Sequence, residues 1–222
     1  APMSVAKEFP ADKAGLHVLF VPSEEPYHKR KVTLLNGPHT VLSPVAFLSG
    51  VNIVRDACNH EVISKYIHKV QFDELMQTLD LPMEELQKFA SDVLERFDNP
   101  YVDHQVTSIM LNSFPKFCAR DLPGVKTYLE RKGELPKGLV FGLAAIITYY
   151  KGGKREDGVE IVPNDSQEIM DLLKNLWATG DTQKVTDGVL GATDIWAEDL
   201  NKIEGLNALV KSYLDLIQSK GM

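Results

Sequence analysis

The chain has 222 residues, of which 44% are hydrophobic and 25% charged, the ordinary composition of a globular protein with one large domain or two small ones. A formal net charge of −7 argues against a general nucleic-acid binder, which needs a basic face to neutralise phosphates, while leaving room for a local basic pocket. No apolar run is long enough to cross a bilayer, and the two cysteines, Cys58 and Cys118, form no Cys-x-x-Cys pair. A reducing, cytoplasmic setting with free thiols is therefore expected, and a structural zinc site is not.

Along the chain, Asp12-Lys13-Ala14-Gly15 reads as a turn, and Leu16-His17-Val18-Leu19-Phe20-Val21 as a short strand stopped by Pro22. From Pro26 onward the pattern is helical almost throughout. Residues 31–49 are apolar-rich and stop at Gly50. Residues 61–79 carry apolar side chains three and four apart. Pro82 stands at a helix start followed by Glu84 and Glu85, which suit the positive end of the dipole. A further helix is expected over 101–120, interrupted at Pro115, and a short one over 123–132. Residues 137–150 are nearly all apolar and too few to span a membrane, so they predict a buried central helix. Residues 151–164, with two adjacent glycines and Pro163, predict a loop. Helices then follow over 166–178, capped by Asp165 or Ser166, over 182–190 and over 205–220. The fold class is mainly α, with a small strand-containing lead-in.

No Gly-x-Gly-x-x-Gly follows a strand, and no Gly-x-x-x-x-Gly-Lys-Ser/Thr occurs. If the chain takes part in redox chemistry, another polypeptide segment must hold the nucleotide.

The informative stretch is Lys31-Val32-Thr33-Leu34-Leu35-Asn36-Gly37-Pro38-His39-Thr40. On a regular helix, at about 100° per residue, Lys31, Asn36 and His39 point near about 0°, 140° and 80°, within one broad face. Polar groups on an otherwise apolar face are either paired or functional. Apolar walls and the neighbouring cations Lys29 and Arg30 would favour the neutral form of Lys31, as a general acid/base requires. Asn36 and His39 can hold an oxygen on which negative charge develops. The bland alternative is a solvated basic helix start with a core histidine. Pro38 cannot donate to the carbonyl of Leu34, which predicts a kink or a fresh helix start. A second cluster, Asn112 to Arg120, places Lys116 and Arg120 four residues apart. Two such cations suit a carboxylate; a solvated charged face is the alternative. His68 and His104 read as structural, and Asp194, Glu198 and Asp199 lack the His or Cys that would complete a metal site.

The run from Lys31 to Thr40 resembles the catalytic segment of the long-chain mannitol dehydrogenase family, whose zinc-independent motif Lys-x-x-x-x-Asn-x-x-His is matched by Lys31, Asn36 and His39. The segment from Asn112 to Arg120 is similar to that family's Ser-x-x-Lys segment. Further stretches, among them Pro44-Val45-Ala46-Phe47-Leu48-Ser49-Gly50 and Trp196-Ala197-Glu198-Asp199-Leu200, look closest to the tagaturonate-reducing branch. Pro38 departs from the family pattern, which has a small residue there.

The resemblance implies a multi-helix C-terminal domain of the 6-phosphogluconate dehydrogenase C-terminal-like type. Residues 27–222 would form the substrate-binding, catalytic part, and residues 1–26 a lead-in from a Rossmann domain of the same protein. It further implies NAD as cofactor, held mainly by that Rossmann domain, no metal, and a sugar-acid substrate. No nucleic-acid or membrane partner is expected. The implied roles are proton transfer for Lys31, binding of the reacting oxygen for Asn36 and His39, and binding of the substrate carboxylate for Lys116 and Arg120. The reaction expected is NAD-dependent interconversion of tagaturonate and altronate. Fructuronate reductase or mannitol dehydrogenase activity, or a helical interaction module without chemistry, are the alternatives.

Overall fold

The computed structural model describes residues 4–222. The helix over Lys137–Tyr149 (α10) forms the middle of the molecule. Apart from Lys137 and a half-buried Phe141, every residue in it is buried. Its two principal neighbours are the helix Gly37–Leu48 (α3), also buried along most of its length, and the C-terminal helix Leu206–Lys220 (α14). The approach of α10 to α3 depends on Gly142, where a Cβ would lie 2.4 Å from Val41 Cβ and 2.8 Å from the Tyr66 hydroxyl. A side chain there would force the two helices apart.

The start of α10 is buried and needs acceptors for its first amides. Glu74 supplies them: its two carboxylate oxygens accept from Gly138 N at 2.7 Å and Leu139 N at 2.8 Å. Burial pushes the Glu74 carboxyl above its usual range, and these two amide donors act against that shift.

Before α3 come a single turn at Val5–Glu8 (α1) and the helix Glu25–Lys31 (α2). After it follow Val54–Asn59 (α4) and Glu61–His68 (α5), with α5 running on through a wide π turn, Lys69–Glu74, and a tight 3-10 turn, Leu75–Thr78. The amphipathic helix Met83–Phe97 (α6) buries Leu86, Ala90, Val93 and Phe97 on one side. Next come Val106–Ile109 (α7), Ser113–Arg120 (α8) and Leu122–Lys132 (α9). Past α10, the helices Gln167–Trp177 (α11), Thr182–Leu190 (α12) and Thr193–Trp196 (α13) lead into α14. No helix is long and apolar enough to cross a membrane among the described residues.

Several expectations hold in detail. Ser166 caps α11 through its side chain, α12 covers Thr182–Leu190, and both cysteines are free. The strand expected at 16–21 does not form: residues 16–20 have no partner strand among the described residues, and Leu16 and Leu19 are exposed. An isolated apolar run gains nothing from strand geometry unless a neighbour pairs with it. The only sheet among the described residues lies inside the expected 151–164 loop, where Gly153–Lys154 (β1) pairs antiparallel with Glu160–Ile161 (β2). Arg155 anchors this hairpin through its guanidinium, which donates to Phe47 O and Asn52 Oδ1, both at 2.8 Å. Of the helix expected over 101–120, residues 101–105 are not helical, and the break expected at Pro115 falls instead at Asn112, in the left-handed region with φ 53°. Pro115 sits in the first turn of α8, where a missing amide hydrogen leaves no bond unmade.

Removing the carboxylate cap should be costly. Glu74→Ala leaves two buried amides of α10 without acceptors and is expected to lower stability by about 1–3 kcal/mol. Glu74→Gln, which keeps one acceptor, should lose less. Denaturant unfolding of the two variants beside wild type checks the order.

Candidate active site

The site is built on the continuous run α2, Val32–Asn36 and α3. Val32–Asn36 is a π turn in which Gly37 N–H reaches back five residues to Val32 O. Its cause lies in the sequence. Pro38 has no N–H, so the carbonyl of Leu34 lacks its usual donor four residues on. That carbonyl is buried, and it accepts instead from Gln71 Nε2 at 2.7 Å. The kink expected from Pro38 is therefore a widened turn rather than a break. In a π turn, residues five apart take the stacked relation that residues four apart have in an α-helix. Lys31 and Asn36 are five apart, so the turn brings them closer to one side than a regular helix would.

His39, in the first turn of α3, lies flat on Phe97 with ring centroids 3.7 Å apart and meets His104 edge-on at 5.5 Å. Its Nε2 is buried and has no hydrogen-bond partner. Burial, reinforced by His104 and by the positive charges of Arg120 and Lys31, lowers its pKa to about 3. The imidazole is thus neutral at physiological pH and keeps one N–H to donate. Lys31 and Arg120 are thus near enough for their charges to bear on the ring.

Arg120, at the end of α8, donates from Nη1 to Thr40 Oγ1 at 3.2 Å, which ties α8 to α3 beside His39. One turn earlier, Lys116 donates from Nζ to Ile109 O at 2.7 Å. Partial burial and the nearby Arg120 lower the Lys116 pKa, and Asp165 acts against that shift. Asn36 is half-buried, and its side-chain amide has no protein partner among the described residues.

Three expectations need correcting. Lys31 is exposed, so the apolar walls foreseen around it are not supplied by the described residues. Arg30 is not free to act on it, because its guanidinium pairs with Glu85 and packs against the rings of Tyr27 and Phe89. His104, read as structural, is exposed at the site and edge-on to His39. It stands in a non-periodic loop, where spacing gives no sign of direction. The loop is held by Val54 N–H donating to His104 O at 2.9 Å and by an isolated bridge between Ile53 and Gln105. Among the acidic residues once weighed as a metal set, Glu198 pairs with Lys126 and Asp199 caps Asn201 N. No cluster of three or more His, Cys, Asp or Glu side chains is placed to hold a metal among the described residues.

The architecture so far defines a class: a mainly helical domain with a polar, cation-bearing face and no phosphate-binding loop among the described residues. The same fold occurs in Pseudomonas fluorescens mannitol 2-dehydrogenase, solved as a ternary complex with NAD and D-mannitol. The TM-score is 0.82 at 21% identity, over 94% of this chain and 41% of that one. It occurs again in a D-sorbitol dehydrogenase solved in substrate-free form, with TM-score 0.78 at 23% identity, over 96% of this chain and 42% of that one. The mannitol dehydrogenase C-terminal domain profile matches residues 24–218, and the chain belongs to that family.

Among curated relatives, an altronate oxidoreductase of Bacteroides thetaiotaomicron is 81% identical over 222 residues, covering 100% of this chain and 46% of the relative. One from Pectobacterium atrosepticum is 40% identical over 229 residues, covering 100% and 47%. The chain therefore spans about half the length of the curated relatives it matches.

The state of His39 is open to direct test. Its ring resonances should show no titration near pH 6.5 and should move only towards about pH 3. The unfolded chain takes up this proton near 6.5 while the folded chain does not. His39 thus makes stability fall as pH drops from about 6.5 to about 3. Unfolding curves across that window should show a shallower decline in His39→Gln.

Proposed function

We propose that this chain is the substrate-binding and catalytic half of a NAD-dependent enzyme that interconverts tagaturonate and altronate, its partner being a Rossmann half of the same protein. The observation that carries the reading is His39: a half-buried imidazole, held neutral, whose Nε2 is buried and unpartnered and on whose ring the charges of Lys31 and Arg120 bear. Such a group suits a sugar oxygen, which accepts a hydrogen bond. No residue of this chain is assigned to hold NAD, because its sequence carries no glycine-rich dinucleotide fingerprint. Strong similarity to altronate oxidoreductases supports the choice of substrate. Two free thiols and the lack of a membrane-crossing helix among the described residues are in keeping with a cytoplasmic setting.

NAD, when bound, supplies or accepts the hydride at the keto carbon. In the reductive direction the ammonium of Lys31 donates a proton to the carbonyl oxygen as that oxygen gains charge, which yields the alcohol. The amide of Asn36 and the imidazole N–H of His39 hold the oxygen in place and stabilise its developing charge. Lys116 and Arg120 hold the substrate carboxylate; Arg120 contributes a planar fork of donors, and Lys116 retains hydrogens beyond the one given to Ile109 O. Mannitol has no carboxylate, so a polyol dehydrogenase would leave this pair without a role. The exposure of Lys31 suits an enzyme whose other half closes over it.

In the full-length enzyme, Lys31→Ala should reduce kcat by about two to four orders of magnitude, the usual span for losing a general acid/base, with a smaller change in KM. Lys31→Arg should restore little, because a guanidinium does not give up its proton at working pH. Arg120→Ala should act mainly by raising KM for the sugar acid. Steady-state kinetics with near-normal turnover in Lys31→Ala would end the mechanism. The chain by itself should bind NADH weakly or not at all in a calorimetric titration, because it has no dinucleotide fingerprint; micromolar binding would count against the division of labour.

A further inference from the structure

Directly beneath the π turn lies a polar group that the chemistry above does not use. Asp121, at the junction of α8 and α9, has no exposed surface, and neither of its carboxyl oxygens has a hydrogen-bond partner. It packs against the backbone of Gly37, where a Cβ would come within 2.7 Å of Asp121 Oδ1. Leu75 closes the pocket from the side, near enough that its Cδ1 would lie 3.3 Å from a Cβ on Gly37 and its Cδ2 2.9 Å from one on Gly124. Gln71, four residues before Leu75, borders the same turn; its Nε2 serves Leu34 O while its Oε1 is buried without a donor. Three buried acceptor oxygens around one turn thus lack a donor.

An ionised carboxylate in this place is strongly disfavoured, because nothing solvates it. One proton changes the accounting, since a carboxylic acid is a donor as well as an acceptor. Burial pushes the Asp121 carboxyl well above the usual carboxylate range, and Arg120 acts against that shift. The titratable and charged groups that bear on Asp121 are Arg120 from its own junction and Tyr66 from α5. Neither supplies a hydrogen bond: Arg120 donates to Thr40, and the Tyr66 hydroxyl donates to Gly138 O at 3.1 Å.

We propose that Asp121 is an uncharged carboxylic acid whose proton fills the missing donor beneath the Val32–Asn36 turn, with Gln71 Oε1 as its acceptor, and that it is thereby a positioning residue for Lys31, Asn36 and His39. Two adjacent residues then hold the catalytic run, Arg120 through Thr40 and Asp121 against Gly37. The positioning role rests on the function proposed above; the protonated state does not.

The test uses the full-length protein. An infrared difference spectrum at neutral pH between wild type and Asp121→Asn should show a carboxylic-acid carbonyl band that shifts in D2O and is lost in the variant. The carboxyl of Glu74 is common to both proteins and cancels. Absence of a lost band overturns the proposal, whatever the enzyme does. In kinetics, Asp121→Asn, whose amide still donates, should keep kcat within about threefold of wild type. Asp121→Leu, of similar size but with no donor, should lower kcat by about tenfold or more with a smaller change in KM. Circular dichroism establishes that Asp121→Leu is folded; if it is not, the infrared result and the Asp121→Asn kinetics decide. A folded Asp121→Leu with unchanged kcat, or an Asp121→Asn that loses activity as Asp121→Leu does, overturns the positioning role. Near-normal turnover in Lys31→Ala with the band still present sinks the functional reading alone.

Discussion

The hydrogen bond from Gln71 Nε2 to Leu34 O is the interaction on which the candidate site depends. Pro38 takes away the donor that this carbonyl would have in a regular helix, and burial rules out water as a general substitute. With Gln71 in place the run neither breaks nor bends away. It widens by one residue, and the widening changes which side chains share a side. A helix kept straight at this point would leave Lys31 and Asn36 at the two margins of one broad face. π turns recur at functional sites because they redirect a few side chains while the helix on either side continues.

What surrounds that turn is a rigid frame. The central helix α10 touches α3 at Gly142 without room for a methyl group, and Glu74 closes its buried start. Gln71 and Glu74 lie in the same π segment, Lys69–Glu74, so one short stretch of chain satisfies both a carbonyl beneath the site and two amides of the central helix. The frame holds the polar groups of the site at one edge of the molecule, where Lys31 and His104 are exposed and His39 is sunk against Phe97.

Electrostatics at this edge run against the molecule as a whole. The chain is acidic, with a net charge of −7, yet the charges of Lys31 and Arg120 bear on a histidine that stays neutral, and Lys116 lies near Arg120. Burial above all, helped by His104, Arg120 and Lys31, keeps His39 unprotonated, so that it donates one hydrogen bond without adding a further charge. Partial burial of Lys116 and Arg120 strengthens their pull on an anion relative to fully solvated side chains.

The helical class, the buried helix at 137–149, the cap at Ser166 and the run of polar residues after Lys31 are legible in the sequence, because periodicity, capping chemistry and local spacing act over a few neighbouring residues. The strand at 16–21 misleads for the same reason: its apolar run is local, while a strand exists only with a partner. Pro38 announces a disturbance, but the repair by Gln71 comes from 37 residues away and leaves no local mark. The same distance hides the role of His104, the burial of Asp121 against Gly37 and the pairing of Arg30 with Glu85. By itself, then, the sequence determined the helical class and most of the helices, and picked out the polar residues proposed for the chemistry. Tertiary structure alone decided which of them meet and which charges survive burial, because desolvation and unpaired hydrogen bonds are properties of an assembled interior.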